Sequence, residues 1–260
     1  MNNDTGTYNI KVVQRSLQIL NLAGSIDHPL SVQEVCKSLK INANMAFRLL
    51  CTLVSANFMI KEETTGHYAL SLKVLQLSRS ALLSLDVRRI TMPYMELLKN
   101  QYPHANVSMA VYYAGEILVV DRIESQSIPR ADFVPGQKFP FHCTALGKIL
   151  TCELPEAELD ALIIKKGLKS FTTNTITDPQ KLKEELVRVR TDHLARDREE
   201  HILKDNCNAA PVCNATGKII AAISLSSFEN NMSVQDMENT IPALQATANR
   251  VSSLAGFHAE

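Results

Sequence analysis

The chain carries no net charge. Its 27 Lys and Arg are matched by 27 Asp and Glu over 260 residues, so nothing draws the whole molecule to nucleic acid by charge alone. The first seventy residues hold six basic against five acidic side chains, so if this part of the chain binds DNA, its contacts must come from local placement and from doubling in a dimer. No apolar run approaches the length that spans a bilayer. The opening MNNDTGTY has no basic segment leading into an apolar one, so no signal peptide is expected and the chain reads as cytoplasmic. Six cysteines are present (Cys36, Cys51, Cys143, Cys152, Cys207 and Cys213) without a C-x-x-C pair. They read as reduced thiols rather than as a disulfide framework. A glycine-rich phosphate loop is missing, which excludes the usual nucleotide-binding motifs. Repeats and low-complexity segments are also missing.

What is present begins with PLSVQEVCKSLKINANMAFRLLCTL, residues 29–53. Ser31 with Glu34 spells a capping box, and Val32, Val35, Cys36 and Leu39 share one helical face. A second helix opens near Asn42, with Ala46, Leu49, Leu50, Leu53 and Val54 facing inward and Asn44, Met45, Arg48, Thr52 and Ser55 facing outward. Amides and an Arg on the exposed start of the second helix suit base-edge or phosphate contacts in a helix-turn-helix. Before this pair, Ile10, Val13, Leu17 and Leu20 predict an amphipathic helix. After it, strands at 58–62 and 67–70 around a turn at 63–66 predict a wing carrying Lys61 and His67. The expected domains are a winged helix-turn-helix at 1–70, a linker helix or dimer seam at 71–85 (Leu72, Leu75, Leu82, Leu83), and a second domain at 86–260.

That second domain predicts as α+β. A helix runs from Asp86 to about Gln101, then a hairpin spans 106–113 and 116–123, with a third strand at 130–134. Helices follow at 144–152, 155–166 and 179–192, then a hairpin at 208–212 and 218–226, and a last helix capped by Ser233 with Asp236. Hairpins with helices grouped between them indicate an antiparallel sheet rather than a doubly wound one.

Polar residues gather at 142–144, 197–208 and 224–227. An enzyme would use Cys143 or Cys207 with a His base, but neighbouring His142 and Cys143 diverge, and His201 with Cys207 is no signature. A metal would draw on His142, Cys143, Asp197, His201 and Cys207, without diagnostic spacing; no cofactor is expected. A pocket for a small polar metabolite fits better. Thr144 to Gly147 offer N–H groups at a helix start to a carboxylate, Ser224 and Ser226 share one side of a strand, and Asp197, Asn206 and Cys207 could close the other side.

The ordered stretches RSLQIL, PLSVQEVCKSLKI, FRLLCTL, GHYALSLKVLQL, HCTALGKILT, FTTNTITDP, DREEHILKDNCNAAPV and GKIIAAISLS together resemble the IclR family of bacterial transcription regulators over nearly the whole length. The resemblance implies a winged helix-turn-helix, a linker helix and a GAF-like effector-binding domain, in a homodimer or homotetramer that binds double-stranded operator DNA under control of a small organic acid. The exposed face of the second helix and the wing, read above, place the expected DNA contacts at Asn42, Asn44, Met45, Arg48, Lys61 and His67. The effector contacts the resemblance implies are Ala145, Leu146, Asp197, Cys207, Ser224 and Ser226, with Cys143, Thr144 and Asp205 beside them and Ala131 and Phe139 as pocket wall. Two departures stand out. The recognition helix reads Asn44-Met45-Ala46-Phe47-Arg48 where family members open Ser-Thr, which implies a different operator. Lys204-Asp205 replaces a Gly and an apolar residue, which implies a more hydroxylated effector such as a sugar acid. The competing expectation is a metabolite- or redox-sensing module that has lost DNA binding.

Overall fold

The computed structural model describes residues 9–83, 85–125 and 135–257. The chain divides into two compact units, 1–84 and 85–260. In the first, helices α1 (Lys11–Ala23), α2 (Val32–Leu39) and α3 (Ala43–Ser55) precede a short antiparallel pair, β1 (Met59–Lys61) and β2 (Tyr68–Leu70), and then helix α4 (Lys73–Leu83). Ile19, Leu30, Val35, Leu49, Leu50, Leu53, Met59 and Tyr68 make its core. Ser31 caps α2 as its spacing predicts: the Glu34 N–H donates to Ser31 Oγ at 3.2 Å, and the Ser31 N–H donates to Glu34 Oε2 at 2.8 Å. Lys40 closes α2 in the left-handed region at φ 51°, which turns the chain sharply into α3.

Two sequence expectations change here. The strands are shorter than 58–62 and 67–70, and Leu30 exchanges two backbone hydrogen bonds with Tyr68, so the hairpin gains a third edge contact. The α1 stripe of Ile10, Val13 and Leu17 does not enter the core; these residues and Val12 are each more than half exposed. Ile19 is the buried anchor instead, with Leu20, Leu22 and Ala23 against the core. The unit is too small to bury a full helical stripe.

The second unit holds a six-stranded sheet in the order β5-β4-β3-β8-β7-β6, every neighbour antiparallel. Its strands are β3 (Asn106–Tyr113), β4 (Glu116–Ile123), β5 (Lys138–Phe139), β6 (Ala195–Arg198), β7 (Asp205–Cys213) and β8 (Ile219–Phe228). Helices α6 (Ala145–Thr151), α7 (Glu156–Lys166) and α8 (Pro179–Asp192) share a core with Ala110, Ala195, Ala209 and Ala222 of the sheet. Four small side chains on neighbouring strands let α6 lie close to the sheet. Alternate residues point the other way, as the period of two requires: Asn208 donates to the carbonyl of Met237 on α9 (Val234–Asn239) at 2.8 Å. Helices α5 (Asp86–Gln101) and α10 (Ile241–Leu254) also pack on the sheet.

The single terminal helix expected after Ser233 is two helices. Pro242, which lacks an N–H, stands in the first turn of α10 and starts a new helix after Thr240. Strand β6 was not foreseen, because ARDR has no apolar alternation. The strand expected at 130–134 lies outside the described residues. No helix among the described residues is long and apolar enough to cross a membrane.

Candidate functional site

A row of side chains crosses the sheet beneath the start of α6. Register sets Asp197 opposite Cys207 and Cys207 opposite Ser226; one step along, Ser224 lies opposite Ser108, and Ser108 opposite Arg122. These six residues, with Phe139, Thr144, Leu146, His201 and Asp205, line an inner cavity of about 30 Å³. That is room for one or two water molecules, so the site is closed in this conformation.

Of the expected pocket residues, Phe139, Thr144, Leu146, Asp197, Asp205, Cys207, Ser224 and Ser226 meet at this cavity. Cys143 and Ala145 are fully buried but do not line it. Asn206 points to the opposite face of β7 from Asp205 and Cys207 and does not line it either. Ala131 lies outside the described residues. Lys204 is exposed and off the cavity while Asp205 faces in, so only half of the Lys204-Asp205 departure bears on a ligand.

Arg122 was missed, for a clear reason. A bulge opposite Met109 and Ala110 pairs Ala110 with Val119 but Ser108 with Arg122. Counting by twos from buried Ile117 and Val119 would send Arg122 outward; the extra residue turns it inward. Its Nη1 donates to Ser108 Oγ at 3.1 Å and its side chain is only 5% exposed. His201, which the sequence offered only to enzyme and metal readings, stands 5.1 Å from Phe171 and 6.0 Å from Phe139, ring centre to ring centre.

The site's frame is polar and buried. Thr144 caps α6, its Oγ1 accepting from the Gly147 N–H at 3.0 Å and donating to the Pro140 carbonyl at 2.7 Å. The first-turn N–H groups of Ala145 and Leu146 have no intrahelical acceptor. Asp197 Oδ1 accepts from the Glu200 and His201 N–H groups at 2.7 and 3.3 Å, which locks the turn after β6. Burial drives its pKa up to about 8, reinforced by the charges of Glu200 and Asp205 against the hydrogen bond from Glu200. Lys148, fully buried, donates to Glu200 at 2.5 Å, to the Arg196 carbonyl at 2.8 Å and to Glu185 at 3.3 Å. Thr172 and Thr175 donate to the Glu199 and Glu200 carbonyls at 2.7 and 2.6 Å, so the FTTNT loop braces the same turn.

Burial, with Asp197 nearby, pushes the thiols of Cys143 and Cys207 up. Redox sensing needs a thiolate, and these environments withhold it.

In the first unit, Asn44, Phe47, Arg48, Cys51, Thr52 and Ser55 of α3 are exposed. Met45, expected on that face, is half-buried against the core. Asn42 Oδ1 accepts from the Met45 N–H at 2.9 Å, so it caps the helix while its amide NH₂ is left to donate to another partner. Phe47, half exposed, was not singled out from sequence. Lys61 is exposed on β1 with its ammonium 5.8 Å from the Tyr68 ring centre, and His67 lies half-buried at the turn.

A model of the family described as bacterial transcriptional regulator IclR, C-terminal, matches residues 79–253. The HTH-type transcriptional repressor AllR of Escherichia coli K12 is 26% identical over 249 residues, 96% of this chain and 92% of its own length. The IclR transcriptional regulator of Alicyclobacillus acidocaldarius superposes with a TM-score of 0.80 at 22% identity, covering 96% of this chain and 100% of that one. An IclR homologue from Microbacterium hydrocarbonoxydans, solved with 4-hydroxybenzoate, gives a TM-score of 0.78 at 17% identity over 94% of this chain and 98% of that one.

Proposed function

This chain belongs to the IclR family of bacterial transcriptional regulators, and from that premise we propose that it is a repressor whose operator affinity is set by a small hydroxylated acid in the inner cavity. It is a regulator and not an enzyme. The observation that carries the effector half is the row of Ser108, Arg122, Cys207, Ser224 and Ser226 under the first turn of α6. The Arg122 guanidinium and the Ala145 and Leu146 N–H groups suit a carboxylate. Asp197, Asp205 and the serines suit hydroxyls. A proton on Asp197 removes one negative charge that would otherwise repel an acid. Because the cavity holds only one or two water molecules, the site must widen to admit the effector, and that widening is the conformational difference a ligand can select.

For the DNA half, Asn44 and Arg48 on α3 suit base edges and phosphates, and Phe47 suits a thymine methyl. Lys61 and the half-buried His67 on the hairpin suit the backbone, and the free amide of Asn42 suits a phosphate. Residues 1–70 then serve as the DNA-binding domain, 71–85 as linker and 86–260 as effector domain. Exposed Ile10 at the cap of α1 and Val12, Val13 and Leu17 within it, with Leu72, Leu75 and Leu77 at α4, suit a dimer seam. Two copies would present two recognition helices to half-sites about one helical turn apart, and the effector acts by linkage on that spacing.

The test is a mobility shift on DNA upstream of the protein's own and neighbouring genes, run with a panel of sugar acids and small carboxylates. A salt-sensitive shift is expected, released by one acid. Arg48→Ala should weaken it and lower the salt slope by about one phosphate's worth. Acid binding by calorimetry without any shift at low salt would instead favour a sensor that has lost DNA binding.

A further inference from the structure

We propose that a second cavity, between the β3–β4 turn, strand β5 and the segment after α7, is a binding site for an aromatic carboxylate, separate from the inner cavity. Its volume of about 280 Å³ approaches the lower end of small-molecule sites, roughly 300 Å³, where the inner cavity holds about 30 Å³. Among the described residues the two share only Phe139. The wall is aromatic and apolar: Ile117, Phe139, Phe141 and Phe171. Such faces suit a flat ring, stacked with an offset or met edge-on.

The rim is cationic. Lys138, Lys166 and Lys169 line the cavity against a single carboxylate, Glu116. Lys138 and Lys166 both reach the same Glu116 Oε1, Lys138 at 3.4 Å. Burial would raise the Glu116 pKa, but the two lysines together hold it below its usual value. Two ammonium groups thus divide one oxygen, and the Lys169 ammonium stands 5.3 Å from the Phe171 ring centre. A ligand carboxylate at this rim supplies the missing negative charge while its ring covers the phenylalanines.

A third observation concerns His142, which lines the cavity and is 3% exposed. Its Nε2 hydrogen-bonds the Lys169 carbonyl at 3.0 Å, so that nitrogen is the donor. Burial holds its pKa down, which leaves Nδ1 a bare acceptor, buried and without a donor among the described residues. An aromatic acid bearing a hydroxyl away from its carboxylate has the donor that this wall lacks.

The experiment titrates the full chain with 4-hydroxybenzoate by calorimetry, on the wild type and on a Lys138→Met/Lys166→Met double variant, and locates the acid in a co-crystal structure. The expected result is the acid in this cavity with its carboxylate at the lysine rim, and affinity at least about tenfold weaker in the double variant. A wild-type melting temperature confirms that the variant folds; should it not fold, Lys169→Met takes its place, with the crystal structure as the deciding measurement. Three results overturn the proposal: the acid in the inner cavity only, unchanged affinity in a folded variant, or no binding to the wild type. The inner-cavity reading is tested separately by acid-dependent release of DNA, so the failure of one is distinguishable from the failure of the other.

Discussion

Asp197 shows how one residue can serve fold and ligand together. Its carboxyl accepts two backbone N–H groups while lining the cavity, and burial raises its pKa to about 8. The unfolded chain gives up this proton near 4, so between about pH 4 and 8 the folded state binds more protons than the unfolded one. Stability from this group therefore falls as pH rises through that window, by at most about 1 kcal/mol per pH unit. Asp197→Asn keeps an acceptor for the turn and removes the titration. Denaturant midpoints between pH 5 and 8 should flatten in this variant relative to wild type; equal slopes would mean Asp197 is ionised in the fold. The sequence picked out Ser224 and Ser226 because strand periodicity and family resemblance agree there, and Asp197 and Cys207 as polar residues of the 197–208 cluster that the resemblance also names. It did not pick out Arg122, whose direction depends on a bulge that only pairing with β3 creates.

At the scale of elements, α6 is placed by what it omits. A Cβ on Gly147 would lie 2.6 Å from the Pro140 oxygen and from the Phe141 backbone. These are main-chain atoms, so the strain is not relieved by a rotamer change. Gly147→Ala should cost about 1–3 kcal/mol in urea unfolding, as overpacking does, and should weaken acid binding by shifting the first turn of α6. An unchanged midpoint would show that the 140–141 segment yields freely. Glycine in HCTALGKIL thus marks a close approach between helix and preceding loop, visible from sequence only as a family pattern. Helix α3 was legible in more detail, since its buried positions follow from spacing alone. Met45 escaped because a side chain at the edge of an apolar stripe is claimed by whichever neighbour has room.

At the scale of the whole molecule, the apolar residues left over on α1 and α4 exceed what the first unit buries. Leu17 and Leu75 are 55% and 63% exposed. If they form the dimer seam, Leu17→Glu with Leu75→Glu should convert a dimer to monomer in sedimentation velocity. Operator affinity should then fall by about 10²–10⁴, as linked half-site binding is lost. A dimer that persists in the double variant would move the seam elsewhere. In such a dimer a neutral chain would gain DNA affinity through two well-placed helices rather than through a broad field.

The sequence by itself determined most of the helices, the antiparallel α+β character of the second unit and most of the polar residues that meet at the inner cavity. Periodicity, caps and turn residues act over a few positions, and those can be read along a chain. Only the tertiary structure decided that the inner cavity is closed, that Arg122 turns into it, that Lys204 stays out, and that a larger cavity with a lysine rim lies beyond Phe139. Each of these depends on the register between strands or the distance between elements far apart in sequence. Such distances are set by the packing of the whole unit and leave no periodic trace in the chain.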